Sequence, residues 1–210
     1  MIYRTPKPLV LASGSPRRKG FLEDLGIVFS VFAQEIDETP RPNERPQRYV
    51  ERMARTKGLT AADRFADSYV LAADTTVCLG ETLLGKPATF AEAVDMLMSL
   101  AGRTHLVRSG FCIACRHEAV EIVGSVTTSV RFAPFSETTA RAYVSEGESW
   151  DKAGGYGIQG KGSFLVEGIT GSYSNVVGLP LVEVLAVLES QGVVMPVDGQ
   201  SDGKTAATVW

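Results

Sequence analysis

Leu9-Val-Leu-Ala-Ser-Gly-Ser-Pro-Arg-Arg-Lys-Gly-Phe-Leu-Glu-Asp-Leu-Gly26 reads as a strand that runs through a tight turn directly into a helix. Leu9 to Ala12 is an apolar run suited to a buried strand. Ser13-Gly14-Ser15 is turn chemistry, with Ser15 at the helix N-cap position and Pro16 at the first helical position, where a missing N–H costs nothing. Phe21, Leu22 and Leu25 recur at helical spacing, and Gly26 stands where a helix-stopping glycine belongs. The first turn carries Arg17, Arg18 and Lys19, cations that the helix dipole disfavours at that end. Two readings fit them: three solvated side chains, or a cradle of hydroxyl, N–H and guanidinium groups around an anion. The stretch is neither a Walker A loop nor a G-x-G-x-x-G dinucleotide turn.

Downstream, strands and helices alternate. Phe29 to Ala33 reads as a second strand, followed by a proline-studded loop, Ile36 to Pro42, with two acids, Asp37 and Glu38. Pro46 to Lys57 reads as an amphipathic helix with Tyr49, Val50, Met53 and Ala54 on its apolar stripe. Lys57 then sits at the carboxyl end, where the dipole favours a cation, and that explains it without any function. Tyr69 to Ala73 reads as a buried strand ending at Asp74-Thr75-Thr76, with Val77 to Leu79 resuming the sheet. A carboxylate that interrupts apolar sequence must be paired, hydrogen-bonded or metal-bound, so Asp74 is the acid of most interest. An aspartate satisfied by turn amides is the alternative.

Gly80-Glu81 marks a hairpin, and Gly85-Lys86-Pro87 presents a lysine on a stiff loop. Thr89 to Glu92 is a capping box opening a helix to Leu100, with Gly102 ending it. His105 to Phe132 reads as a long antiparallel hairpin broken near Arg116-His117-Glu118, and Ser136 as the cap of a helix through Val144. Asp151 to Gly162 is the densest glycine stretch, where a backbone can approach a ligand closely. Phe164 to Ile169 reads as a strand, Gly171 to Asn175 as a turn and Pro180 to Leu188 as a helix. The inserted hairpin makes the sheet mixed rather than parallel. The polar residues 196–210 read as a disordered tail.

Composition narrows the class. The 210 residues are 44% hydrophobic, enough for a substantial core. A formal charge of −3 and a pI near 5.5 argue against a nucleic-acid polymer as partner, whereas a small anion needs only a local cationic cluster. No secretory h-region and no membrane-length apolar run occur, so a cytoplasmic protein without membrane contact is expected. Three cysteines, an odd number, suit reduced thiols. Cys112-Ile-Ala-Cys115 with His117 raises a zinc site, but residues three apart on a strand face opposite ways. Buried thiols are the better account.

The order and spacing of several pieces is more specific than any one of them. Leu11 to Arg18, Ile36-Asp-Glu38, Lys57, Ala73-Asp-Thr75, Gly85-Lys-Pro87, Asp151-Lys-Ala-Gly154, Tyr156-Gly-Ile-Gln-Gly160 and Val177-Gly-Leu-Pro180 together resemble the Maf family of nucleoside triphosphate pyrophosphatases, over residues 9–192. The resemblance implies an α/β fold with a mixed twisted sheet and flanking helices, of the elongated, two-lobed, inosine-triphosphatase-like kind. Residues 1–195 would form a single catalytic domain around a cleft, assembled as a homodimer. The family splits the α–β phosphoanhydride of a nucleoside triphosphate into the monophosphate and pyrophosphate.

By similarity, Ser13, Arg18, Lys57 and Lys86 would hold the triphosphate. Glu38 and Asp74 would hold a divalent cation, Mg²⁺ or Mn²⁺, with Asp74 also the proton acceptor that activates water. The subgroups of the family differ at the positions of Arg17, Thr75 and Gln159. The set here resembles the branch acting on dTTP and UTP, with CTP and modified pyrimidine nucleotides as further candidates. The branch preferring 7-methyl-GTP carries Trp, Gln and Glu instead. A glutamine amide sets a donor beside an acceptor, matching the carbonyl and imide N–H of thymine or uracil. Two alternatives stand beside this expectation: a 7-methyl-GTP pyrophosphatase, and a nucleotide-sensing module linked to cell division.

Overall fold

The computed structural model describes residues 1–198. Tyr3–Arg4 (β1) leads to Leu9–Leu11 (β2), whose three side chains are all buried, and the chain turns into Pro16–Asp24 (α1). The strand-turn-helix therefore forms as expected, with one correction. The Ser15 side chain does not cap α1; Ser13 Oγ accepts the Ser15 N–H at 3.3 Å and closes the turn from two residues back. Gly26 takes a left-handed φ of 76° after the helix.

Ser30–Val31 (β3) is shorter than the predicted strand because its one neighbour, β2, is itself only three residues long. Pro46–Arg64 (α2) continues well past Lys57. Gly58, Ala61 and Ala62 are buried small residues that let the second half of α2 lie close on the sheet; a Cβ at Gly58 would stand 2.7 Å from Cys112 Sγ. Lys57 is thus a mid-helix residue, and the dipole explanation for it fails. Tyr69–Leu79 (β4) runs unbroken through Asp74-Thr75-Thr76, where the sequence pattern predicts an interruption.

Thr82–Leu84 (β5) folds back on β4 around Gly80, at φ 62°. Phe90–Leu100 (α3) is capped by Thr89 Oγ1, which accepts the Glu92 N–H, while the Glu92 carboxylate accepts the Ala88 N–H. Thr104–Cys115 (β6) and Val120–Phe132 (β7) form the long hairpin, and Ser136 caps Glu137–Ser145 (α4). The glycine stretch holds a short 3₁₀ turn at Ala153–Gly155, and a second at Gly160–Leu165 takes the place of the start of the predicted strand, which begins only at Val166–Thr170 (β8). Tyr173–Val177 (α5) is a helix in place of the predicted turn, because Ser172 Oγ caps it by accepting the Asn175 N–H. Leu181–Ser190 (α6) follows, and Met195–Pro196 (β9) pairs with β1. The Val197 N–H also donates to Ile2 O, so ordered pairing passes the predicted start of the tail. The rest of that tail, residues 199–210, lies outside the described residues.

The main sheet has the order β3-β2-β4-β6-β7-β8, with β5 beside β4; β3, β2 and β4 are parallel and the remaining pairs antiparallel. Strand parity sorts the core. Leu71, Ile113 and Cys115 pack against α1 and α6 on one face, while Val70, Ala72 and Cys112 pack against α2 on the other. A third cluster, with Val77, Leu97, Phe132, Tyr143 and Tyr156, lies under α3 and α4 at the far half of β4 and β6. Among the described residues no helix is long and apolar enough to cross a membrane. The middle of β4, which belongs to both halves, carries Asp74.

Candidate active site

A cleft of about 470 Å³ opens at that point, and Ser13, Arg17, Arg18, Glu38, Lys57, Asp74, Thr75, Lys86 and Gln159 all line it. The fold thereby gathers into one cavity every residue that the sequence singles out for the site.

Arg18 does not lie free in solvent. Its Nε donates to Gly178 O at 2.7 Å, Nη1 to Ala73 O at 2.7 Å and to Ser13 Oγ at 3.0 Å, and Nη2 to Thr75 Oγ1 at 3.1 Å. A guanidinium has five N–H groups, so this one is largely committed to protein acceptors drawn from three segments. Burial pulls its pKa down and the Asp74 charge pushes it back up, with a net lowering. Arg17 differs: it reaches Asp151 Oδ2 at 2.9 Å in a more exposed ion pair at the rim.

Thr75 Oγ1 meets Ser109 Oγ at 2.8 Å, and Ser109 donates on to Asn175 O at 3.1 Å. Asn175 is fully buried and its amide donates to Val107 O and Thr128 Oγ1. A chain of polar groups therefore links Arg18 to the β6–β7 hairpin through α5. Nothing in the sequence signals this chain beyond the small polar run around Asn175, because its members lie on segments far apart in sequence that only the fold brings together.

Opposite the turn, Lys57 Nζ lies 2.6 Å from Asp74 Oδ1 and 2.7 Å from Glu38 Oε1. Asp74 and Lys57 are nearly buried, with side chains 11% and 13% exposed, while Glu38 is 47% exposed. Burial raises the Glu38 pKa, but the Lys57 ammonium, helped by Lys86 and Arg18, more than reverses this and keeps the carboxyl ionised below its ordinary range. Burying Asp74 in mid-strand is tolerable because α2 delivers that ammonium directly to it.

Among the described residues, no cluster of three or more His, Cys, Asp or Glu side chains is placed to hold a metal. The donor set nevertheless suits Mg²⁺ or Mn²⁺, which bind through one or two carboxylates with the remaining positions filled by phosphate and water. Glu38 and Asp74 converge on one cationic point, the Lys57 ammonium.

The far wall is more apolar, with Val77, Val107, Ile158 and Val176, and ends at Gln159. The loop carrying Gln159 is held from several sides, with the Lys161 N–H donating to Glu148 Oε1 at 3.1 Å just beyond it. Gly154 N–H donates to Gly85 O at 2.9 Å, Gly157 N–H to Tyr143 Oη at 3.1 Å, and Tyr156 Oη pairs with His105 Nε2 at 2.7 Å. Asp151 and Gly178 line the cleft and His105 stands behind Tyr156, and the sequence alone assigns none of the three a role.

A cleft with cations on one side, carboxylates opposite and an apolar wall ending in an amide suits an anionic ligand with a flat heterocycle. The dTTP/UTP pyrophosphatase of Desulfotalea psychrophila is 53% identical over 184 residues, covering 88% of this chain and 94% of that protein. The dTTP/UTP pyrophosphatase of Myxococcus xanthus is 52% identical over 188 residues, covering 90% and 94%. Among solved structures, the Staphylococcus aureus Ham1 protein shares 17% identity over 60% of this chain and 72% of its own, at a TM-score of 0.44, too slight a likeness to build on. The profile of the family described as Maf-like protein matches residues 8–191, from the start of β2 to the end of α6. That match spans every residue of the cleft, and the chain belongs to the Maf-like protein family.

Proposed function

We propose that this protein hydrolyses dTTP and UTP to the nucleoside monophosphate and pyrophosphate, with Asp74 as the proton acceptor. The observation that carries the reading is Asp74 itself, a nearly buried carboxylate in mid-strand, lining a cleft whose other walls supply Arg17, Lys57 and Lys86. Relatives described as dTTP/UTP pyrophosphatases, about half identical over nearly their whole length, support the choice of substrate.

In this reading the triphosphate lies along the β2–α1 turn, where the Ser13 hydroxyl and the remaining Arg18 N–H face it and Lys57 and Lys86 neutralise its oxygens. Glu38 and Asp74 would hold a divalent cation, which would supply further positive charge to the phosphates. Water attacks the α–β anhydride, the bond to the bridging oxygen breaks, pyrophosphate leaves, and Asp74 takes the proton of the attacking water. The base rests against the apolar wall, and the Gln159 amide reads its carbonyl and imide edge. Arg17 closes the rim, and Thr75 acts on specificity through the placement of Arg18. A homodimer belongs to the same reading, and light scattering on the purified protein measures it.

The test is a panel of dTTP, UTP, CTP, GTP and 7-methyl-GTP with Mg²⁺ or Mn²⁺, with products separated. Preferential turnover of dTTP and UTP with equimolar pyrophosphate is expected. Preference for 7-methyl-GTP, or tight nucleotide binding without turnover of any member, would overturn the reading.

A further inference from the structure

We propose that His105 is a positioning residue for base selection, which acts through Tyr156 to hold the Gln159 loop in register with the cleft; this rests on the base-reading role given to Gln159 above. The loop needs such a hold. Gly154, Gly155 and Gly160 adopt φ values of 72°, 71° and 74°, conformations glycine reaches freely but does not keep without outside contacts. Gln159 is exposed at the cleft wall between two of these hinges and the 3₁₀ turn that follows. A hydrogen-bond reader discriminates only if its amide returns to the same place each time.

Tyr156 is the one large side chain in the stretch Ala153–Gly160 that is fully turned inward, 5% exposed, and its hydroxyl ends 2.7 Å from His105 Nε2. His105 lies near the start of β6, paired with Val130 on β7, and from the next residue, Leu106, β6 is also paired with β4. The anchor point is therefore on a central strand of the sheet. Phe132 fixes both rings from the side, with centroids 4.8 Å from His105 and 4.6 Å from Tyr156, edge to face.

Packing alone does not explain an imidazole here. His105 is 1% exposed and its Nδ1 has no partner among the described residues, so a phenylalanine would fill the same aromatic cluster without leaving a buried polar atom unpaired. What phenylalanine would lack is the bond to Tyr156. Imidazole and phenol can each donate or accept, so either tautomer makes that bond, and removing the hydroxyl ends it in both cases. The other anchors do not replace it: Tyr143 holds the Gly157 backbone, Gly85 holds Gly154 and Glu148 accepts the Lys161 N–H, leaving His105 as the hydrogen-bond partner of the Tyr156 hydroxyl among the described residues.

Three variants and two readouts test this. Tyr156→Phe keeps the ring and deletes the bond, His105→Phe deletes it from the other side, and His105→Gln restores a terminal amide at about the reach of Nε2. Tyr156→Phe and His105→Phe are expected to raise KM for dTTP about tenfold with a smaller change in kcat, and to erode the preference for dTTP over GTP. Hydrogen–deuterium exchange should be faster in peptides covering residues 153–160, and His105→Gln should recover both properties to within about threefold of the parent. A folded Tyr156→Phe variant with unchanged KM, base preference and exchange overturns the proposal, as does a uniform loss of kcat on every nucleotide. Gln159→Ala separates the two readings. If it leaves base preference intact while Tyr156→Phe abolishes it, the role given to Gln159 fails, and with it the route by which His105 is proposed to act.

Discussion

At the scale of single residues, two neighbours of like charge have unlike work. By residue type and helical position Arg17 and Arg18 are alike, both being cations in the first turn of α1, and only the family resemblance separates them. Which one turns inward depends on the carbonyls of Ala73 and Gly178, which only the finished fold brings near. Arg18→Lys replaces a planar fork that serves four acceptors with an ammonium of three N–H groups, so at least one acceptor loses its donor. It is expected to lower stability by about 2–4 kcal/mol, read as a drop in melting temperature, along with activity. Arg17→Lys, at a partly exposed ion pair, should stay within about 0.5 kcal/mol of the parent in the same melt. Asp74→Asn keeps the size and one acceptor of the side chain while removing its basicity. Pyrophosphate release should fall about 10²–10⁴-fold with the fold retained by circular dichroism. Near-parent turnover after that substitution would remove Asp74 as the base.

At the scale of elements, what was legible was local. The opening strand-turn-helix, the long hairpin, and the caps Thr89 and Ser136 each follow from neighbours in sequence, and each is present. Three readings failed where a distant partner decided the outcome. The β4 strand runs through Asp74 because Lys57 neutralises it from another element. Helix α2 outlasts Lys57 because glycine and alanine let it settle onto β4 and β6. The α5 helix replaces a turn because Asn175 finds buried partners on β6 and β7. That the singled-out residues would share one cleft was legible, but only as a set of types; that Thr75 bonds Arg18 and Ser109 was not, since both partners lie far away in sequence.

The seat of α2 gives a prediction at this scale. A Cβ at Gly110 would run into the carbonyl oxygen of Val50, and backbone cannot move aside as a flexible side chain can. Gly110→Ala should push α2 and Lys57 away from β6, lowering the urea midpoint by the equivalent of about 2–3 kcal/mol and reducing activity. Gly168→Ala, on the exposed β8 with nothing within 4 Å, is the control and should leave both nearly unchanged.

At the scale of the whole molecule, acid sensitivity has two separable windows. Burial pushes the His105 pKa down from about 6.5 to about 4. Between those values the unfolded chain takes up a proton that the folded chain refuses, so stability falls as pH drops from 6.5 towards 4 and this contribution levels off below. His105→Gln should flatten the pH dependence of the urea midpoint in that window, by as much as roughly 3 kcal/mol. The second window lies lower. The Arg52 guanidinium holds Glu44 at about 2 against an ordinary 4.5, and that contribution is lost only as pH falls through this range. It should persist unchanged in the His105 variant.

The Arg18 guanidinium joins the β2–α1 turn, the middle of β4 and the residue after α5, so one side chain ties the turn that lines the cleft to both halves of the sheet. Loosening that turn means giving up contacts on β4 and beyond α5 at the same moment. Heating should therefore not produce a folded but inactive protein: the inactivation curve and the unfolding curve should superimpose, and a preparation that has kept its shape will have kept its turnover.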